Sequence, residues 1–474
     1  LTDRQVGVNE KRFWNKGRAF FGAMASVFVL AAASGASAET LDSALARAYG
    51  NNPSLNAQRA SVRATDENVA RAKSGYRPQV NASADIGRSY SNVNRPARTG
   101  TPGGENFLTP RGYGIEIEQS IFNGFRTVNS VRQAESSVLG ARETLSNNEQ
   151  NTLLDAATAY MNVLRDTAIL DLQRNNVEVL DEQLRQTRDR FNVGEVTRTD
   201  VAQAESRLAA SRSQVSLAES NLRTSIAQYR QVVGVEPRSL APGRPLDRLL
   251  PKSVETALKV ALNEHPAIKA SEHGVDVAEL QVKIDQGALA PQVGVRGTVA
   301  QRYDNQISDD RALSASVVAQ LTVPIYDGGV AYATTRQSKE TVGQRRLEAD
   351  SIRDQVRAAV VSTWGQLEAA RAQIVAAQAQ IDASETALNG VREEARVGQR
   401  TTLDVLNAQQ ELLTARVNLI TAQRDRVVAS YAVAQAMGRL TSRSLGLAVN
   451  HYSPKIHYDQ VKDLWGGLTT PDGR

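Results

Sequence analysis

Cysteine is absent from the 474 residues, which excludes a disulfide scaffold, a thiolate metal site, a cysteine nucleophile and an acylated N-terminal cysteine. Aromatics make up only 5% of the chain (three Trp, 12 Tyr, eight Phe), a thin supply for the packed core of a compact mixed-fold enzyme. Four histidines, His265, His273, His451 and His457, leave little material for a histidine-rich metal centre. Neither charge sign dominates: there are 56 bases and 51 acids, and residues 1–38 alone hold five of the bases and two of the acids. The remainder is nearly balanced and shows no basic stripe, so no nucleic-acid partner is expected. No P-loop, HExxH, GxSxG or dinucleotide fingerprint is present, and no enzyme, cofactor or metal site is expected. What the chain does have is long stretches of Ala, Gln, Arg, Glu and Leu, the composition of long helices.

Lys11, Arg12, Lys16 and Arg18 precede an uncharged apolar run from Ala19 to Ala33, and Ala36-Ser37-Ala38 supplies a small-x-small site. This is the pattern of a secretory signal peptide over 1–38, and the run is too short for a spanning helix of ~20 apolar residues. No later segment is apolar enough to span as a helix, so any membrane insertion falls to strands.

The rest of the chain is written twice. A shift of 213 residues places Ala44-Leu45 on Ala257-Leu258, Pro53 on Pro266, Val62 on Val275 and Pro78-Gln79-Val80 on Pro291-Gln292-Val293. Beyond the strands the shift becomes 204: Ile121-Phe122-Asn123-Gly124 falls on Ile325-Tyr326-Asp327-Gly328, Val193-Gly194 on Val397-Gly398 and Asp200-Val201 on Asp404-Val405. An internal tandem repeat follows. The expected division is a first repeat over 39–240, a linker at 241–252, a second repeat over 253–440 and a C-terminal tail over 441–474.

Each copy is expected to run helix, two strands, very long helix, turn, helix. Period-two alternation marks strands at about 79–92 and 111–123 in the first copy, and 291–303 and 312–325 in the second. Val80, Ala82, Ala84 and Ile86 alternate with Gln79, Asn81, Ser83 and Asp85; Tyr113, Ile115 and Ile117 alternate with Gly114, Glu116 and Glu118. One reading is a soluble sheet with one buried face. The sharper one is a barrel wall with its apolar side to lipid and its polar side, Glu116 and Glu118 included, to a watery lumen. Four strands cannot close a barrel, which needs at least about eight, so several chains must contribute. The segments 93–110 and 304–311 are read as connecting loops.

No Pro interrupts 124–191 or 328–395, and each can form a rod of about 100 Å at ~1.5 Å per residue. Heptad seams run through Leu170, Val177, Leu184 and Phe191, then Val201, Leu208, Val215 and Leu222. The second copy repeats them in Ile374, Ile381, Leu388 and Ala395, then Val405, Leu412 and Leu419. Two coiled hairpins are expected, turning at Val193-Gly194 and Val397-Gly398, with 199–233 and 253–290 as shorter helices around a Pro/Gly-rich linker.

These residues resemble the TolC family of outer-membrane channel-tunnel proteins over about 40–440. The resemblance rests on Arg190-Phe191-Asn192-Val193-Gly194 with Thr199-Asp200-Val201, and on Val397-Gly398-Gln399-Arg400-Thr401 with Asp404-Val405-Leu406, set in the duplicated plan. It implies an α+β membrane protein: a homotrimer whose chains each give four strands to one twelve-stranded barrel in outer-membrane lipid, continued by an α-helical coiled-coil tunnel across the periplasm of a Gram-negative bacterium. It further implies a periplasmic adaptor at the hairpin tips (Val193, Gly194, Val397, Gly398) and an inner-membrane ABC or RND-type transporter. The chain then serves as the exit duct for proteins or small toxic molecules.

The resemblance also assigns a latch to Arg400 with Thr199 and Asp200, and a constriction to Asp404, while Asn407 stands where relatives carry a second acidic ring and Ala395 where they can carry a Tyr. Helix capping is the competing role for Asp200 and Asp404, since Asp is favoured just after a turn. The alternative to a duct is a periplasmic coiled-coil adaptor or tether without a pore.

Overall fold

The computed structural model describes residues 38–93, 104–305 and 307–473; the expected leader ahead of Ala38 lies outside the described residues. The chain enters through α1 (Leu41–Asn51) and α2 (Pro53–Lys73). Pro53 forces the break: a residue before proline is pushed out of the helical region, and Asn52 sits at φ −62°, ψ 121°. Its side-chain oxygen then accepts from the N–H groups of Ser54 (2.9 Å) and Leu55 (3.2 Å), capping the helix that Pro53 opens. The same device splits α5 (Val254–Glu264) from α6 (Pro266–Gln286) at His265, which stands at φ −63°, ψ 124°. The single helix expected over 253–290 is therefore two helices and a 3-10 turn at Gly287–Leu289.

Six strands are described: β1 (Gln79–Ile86), β2 (Ser89–Val93), β3 (Gly104–Leu108), β4 (Arg111–Asn123), β5 (Gln292–Tyr303) and β6 (Arg311–Thr322). β1, β4, β5 and β6 form one antiparallel sheet in that order, with a bulge at Ser120/Phe122, and β2 pairs with β3 separately. The strand expected over 79–92 is thus interrupted before Ser89, and part of the expected loop 93–110 is the strand β3; residues 94–103 lie outside the described residues.

Register sorts the side chains. Val80, Ile117, Gly297 and Val317 share one row, and Ala82, Ile115, Val299 and Ala315 the next. The opposite face carries Asn81, Glu116, Thr298 and Ser316, then Gln79, Glu118, Arg296 and Val318. Val80, Ile115, Ile117, Val299, Leu313, Val317 and Leu321 are all exposed, so one face of the sheet is apolar through its middle rows, with Gln301, Arg111 and Arg311 toward one end, and is uncovered by its own chain.

Gly124 and Gly287 let strand and helix meet below the sheet. A Cβ on Gly124 would stand 2.3 Å from the Gly287 carbonyl oxygen, and φ at Gly124 is +66°. From there α3 (Arg126–Asn192) runs 67 residues to a turn and α4 (Arg198–Val233) returns; α7 (Val330–Arg396), also 67 residues, and α8 (Thr402–Ala436) do the same. At ~1.5 Å per residue the long members are about 100 Å. Phe191, expected in the first seam, is exposed in the last turn of α3, and Leu180 takes a place in the seam with Val177, Leu184, Val201 and Leu208. The second seam is as expected from Ile381 through Leu388 and Ala395 to Val405, Leu412 and Leu419.

The largest core lies midway, where α1 packs on α3 and α4. Tyr160 and Tyr229 are fully buried there, and the Tyr160 hydroxyl lies 2.7 Å and 2.6 Å from the carbonyl oxygens of Glu39 and Ala241. Burial and the nearby Glu39 push that phenol up to about 12. The linker is thereby tied to the start of the described chain, with the N–H of Glu39 donating to Ser239 and that of Ala241 to Glu39. Beyond α8 the tail carries α9 (Pro454–Val461), which docks on α2 through His457 and the buried Asp66, 3.0 Å apart. Burial raises the Asp66 carboxyl above the usual carboxylate range.

Candidate functional site

The two hairpin tips are built alike. Gly194 (φ +83°) and Gly398 (φ +82°) turn the chain where a side chain would be strained, and Val193 and Val397 project into solvent beside them. Each returning helix opens with a Thr-x-x-Asp capping box. Asp200 accepts from the Thr197 backbone N–H (2.9 Å) and hydroxyl (2.7 Å), while the Asp200 N–H donates to Thr197 Oγ1 at 3.3 Å. Asp404 repeats this with Thr401 at 3.0, 2.9 and 3.2 Å. The Thr401 N–H and hydroxyl hold the Asp404 carboxyl below the usual carboxylate range, and Arg400 adds a weaker pull. Both aspartates are thus capping residues within the chain, at the third helical position.

The tips differ in charge polarity. Arg190 pairs forward with Glu195 across the first turn (3.0 Å), whereas Glu394 pairs forward with Arg400 across the second (2.8 Å). Within one chain Arg400 is therefore engaged by its own hairpin rather than by Asp200, and Thr199 is exposed. A groove of about 760 Å³ separates the tips, lined by Glu178, Glu182, Arg190, Arg392 and Arg396 among others.

Above the groove the hairpins join at Leu406, which is buried among Leu180, Leu184, Ala204 and Leu208 of the first hairpin. Beside it Arg207 donates to Asn407 Oδ1 at 2.8 Å. Asn407, expected at the constriction with Asp404 as the position where the second ring charge is absent, is the acceptor of a bond between hairpins within the chain. Sequence reasoning missed Arg207, Leu406 and Glu394. Nothing local marks Arg207, and Leu406 stands in the second turn motif without any sign of its contact, whereas Glu394 six residues before Arg400 across a glycine turn was a readable ion pair.

At the sheet, Glu116 and Glu118 sit on the polar face as the alternation predicts, and Arg296 of β5 reaches both, at 3.3 and 3.6 Å. Asp85 and Arg302 (2.8 Å) and the Thr298 and Ser316 hydroxyls (2.8 Å) extend this cross-strand polar layer. Among the described residues no cluster of three metal-ligating side chains occurs, and no helix is long and apolar enough to cross a membrane.

A sheet with one bare apolar face and one charged face, set on two hairpins of very long helices, defines a membrane-strand protein with a coiled-coil shaft. The pattern of the family described as "Outer membrane efflux protein" matches residues 44–235 and 257–439, and the chain belongs to this family, that of TolC. It is 45% identical over 438 residues to the outer membrane efflux protein BepC of Brucella suis biovar 1, covering 92% of this chain and 93% of that one. It is 26% identical to the outer membrane protein TolC of Escherichia coli, over 87% of this chain and 85% of that one. Among solved structures the fold matches the CmeC outer membrane channel of Campylobacter jejuni with a TM-score of 0.75 at 16% identity, covering 89% of each chain. The chain is accordingly a non-catalytic transport protein of the outer membrane, with its helical part in the periplasm.

Proposed function

We propose that three copies of this chain close their sheets into one twelve-stranded barrel and their hairpins into one tunnel. Strand direction alternates along β1-β4-β5-β6, so β6 runs opposite to β1, and β1 of a neighbouring copy would extend the sheet antiparallel. The observation that carries the reading is the exposed apolar face backed by the Glu116–Arg296–Glu118 layer: lipid outside, water inside. A pore-free tether would leave that face without a purpose. The chain is the outer-membrane exit duct of a tripartite export system. A periplasmic adaptor at Val193, Gly194, Val397 and Gly398, and an inner-membrane ABC or RND-type transporter, complete the path.

The division into repeats at 39–240 and 253–440 is supported by element spacing, and the proposed chain carries a signal peptide before the first repeat and a tail after the second. α5 and α6 begin 213 residues after α1 and α2, and α7 and α8 begin 204 after α3 and α4. At the periplasmic mouth, one Asp404 per chain near a threefold axis makes a ring of three carboxylates, whose field a narrow low-dielectric opening concentrates. Asn407 leaves the next ring uncharged. Arg400 is the latch, exchanging Glu394 for Thr199 and Asp200 of the adjacent copy when the tunnel closes.

Single-channel conductance of the detergent-purified protein in a planar bilayer tests this. Discrete cation-preferring steps are expected, with the preference reduced in Asp404→Ala. Steps unaltered by the substitution would move the constriction elsewhere. Silence in both the native protein and an Arg400→Ala variant would sink the duct.

A further inference from the structure

The C-terminal tail ascends α2 toward the sheet. His457 meets Asp66 (3.0 Å), Asp463 takes an ion pair from Lys73 (2.6 Å), and the Trp465 ring lies under the Arg77 guanidinium, 4.6 Å from its centroid. Each step up the tail meets a residue further along α2 and its continuation. Arg77 also donates to the backbone oxygens of Leu464 (2.6 Å) and Asp463 (3.4 Å), so it fixes the tail through carbonyls and sets a positive charge beside the indole. Past this clamp the chain turns outward: Trp465 is 76% exposed and Leu468 completely so, with Leu464 and Tyr76 exposed beside them.

An indole and two leucines clamped into the open need a cover. Arg77 stands two residues before Gln79, where β1 begins, about 7 Å at ~3.3 Å per residue. The headgroup zone on each side of a bilayer's ~30 Å hydrocarbon core is also roughly 5–8 Å deep. The tail therefore reaches the level at which the apolar sheet face gives way to the shaft. Trp prefers that level because its ring is apolar and its N–H polar, and a guanidinium beside it suits a lipid phosphate.

We propose that Trp465, with Leu464, Leu468 and Arg77, is an interfacial anchor that inserts into the phospholipid leaflet on the periplasmic side of the outer membrane. The inference rests on the barrel reading above. The anchor is continuous with the lipid-facing sheet and pins the tail, and through it α2, to the membrane surface.

The test uses the full chain in two sets of phosphatidylcholine vesicles, one brominated near the headgroup and one at mid-chain, with Trp14→Phe and Trp364→Phe leaving Trp465 as the reporter. A second protein carries Trp465→Phe and Val317→Trp on the same background and reports lipid contact of the sheet. Trp465 is expected to lose most of its emission in brominated relative to ordinary lipid, and to be poorly quenched by acrylamide in the water. The inference is overturned if Val317→Trp is quenched by the lipid while Trp465 is quenched only by acrylamide. It is equally overturned if neither agent reaches Trp465, which would seat the ring against a neighbouring copy. If the Val317→Trp indole is also untouched by lipid, the barrel reading falls with it.

Discussion

The two hairpins share length, turn and cap, but their seams are made of different chemistry. Between α3 and α4 the seam is stitched by buried polar groups: Asn176 donates to Ser211 (3.0 Å), and Ser225 donates to Asp166, which Arg165 also holds at 2.7 Å. Between α7 and α8 the seam near the tip is apolar at its centre, from Ile381, Leu388 and Ala395 to Val405, Leu412 and Ala415, with an Arg416–Glu385 ion pair (2.7 Å) along its edge. A buried hydrogen bond is satisfied at one axial register only, and slipping by a turn strands its donor and acceptor. Alanine and leucine contacts lose far less when one helix slides or coils against the other. The first hairpin is thus built to hold register and the second to tolerate change, and it is the second that carries the proposed latch and constriction.

Leu388→Ala opens a cavity in the apolar seam and is expected to lower stability by about 2–4 kcal/mol, read from thermal loss of helical circular dichroism in detergent. Asn176→Ala is expected to cost about 1–3 kcal/mol, because Ser211 is left buried without its partner. The double variant Asn176→Leu with Ser211→Ala should recover most of that loss and yet loosen register. Paired cysteines placed across α3 and α4 would then cross-link at neighbouring turns as well as the native one. If they cross-linked at the native turn alone, the stitches would not be what fixes register.

The tips should respond equally, since their caps are equal: Thr197→Ala and Thr401→Ala are each expected to cost about 1 kcal/mol. Their pH behaviour adds a sign. The Asp404 carboxyl is depressed in the folded protein, so its contribution is present at neutral pH and is lost as pH falls through its folded value, below the ordinary range near ~4. Asp404→Asn should shrink the acid loss by Asp404's share, with Asp247, Glu264 and Asp463 keeping theirs, and an unchanged profile would deny Asp404 its capping role.

Much of this architecture was legible because its signals are local and repeated. The long rods follow from Pro-free stretches with apolar residues every seven, and structure and expectation differ by only a residue or two at Asn192 and Arg396. The strands follow from alternation, and Glu116 and Glu118 fell on the polar face for that reason alone. The breaks at Asn52 and His265 were also written locally, in the prolines that follow, although 253–290 reads as one helix by its apolar spacing. What could not be read is what depends on another part of the chain. β3 is a Gly-Glu-Asn-Phe-Leu segment whose strand character comes from pairing with Ser89–Val93. Phe191 keeps the heptad spacing and still leaves the seam, because α4 begins only at Arg198, beyond the turn, and offers it little to pack on. Leu406 looks like any helix leucine until it is seen inside the other hairpin.

The smallest expected effect on stability tests the most specific point of contact between the two kinds of seam. Asn407 is exposed, Arg207 is half-buried, and their bond is between a charge and a neutral amide, so Arg207→Ala is expected to cost no more than about 1 kcal/mol. The bond nonetheless joins the register-fixed hairpin to the permissive one, beside the buried Leu406. Its loss should therefore appear in gating rather than in melting: more frequent or longer openings in a planar bilayer with an unchanged melting curve. Asn407→Asp sharpens the point, since it strengthens the tie to Arg207 while adding a carboxylate near the Asp404 ring. Longer closures together with a stronger cation preference are expected from it. An Asn407→Asp channel that opened more readily than the native one would show that charge repulsion around the ring, rather than the tie to Arg207, governs the second hairpin.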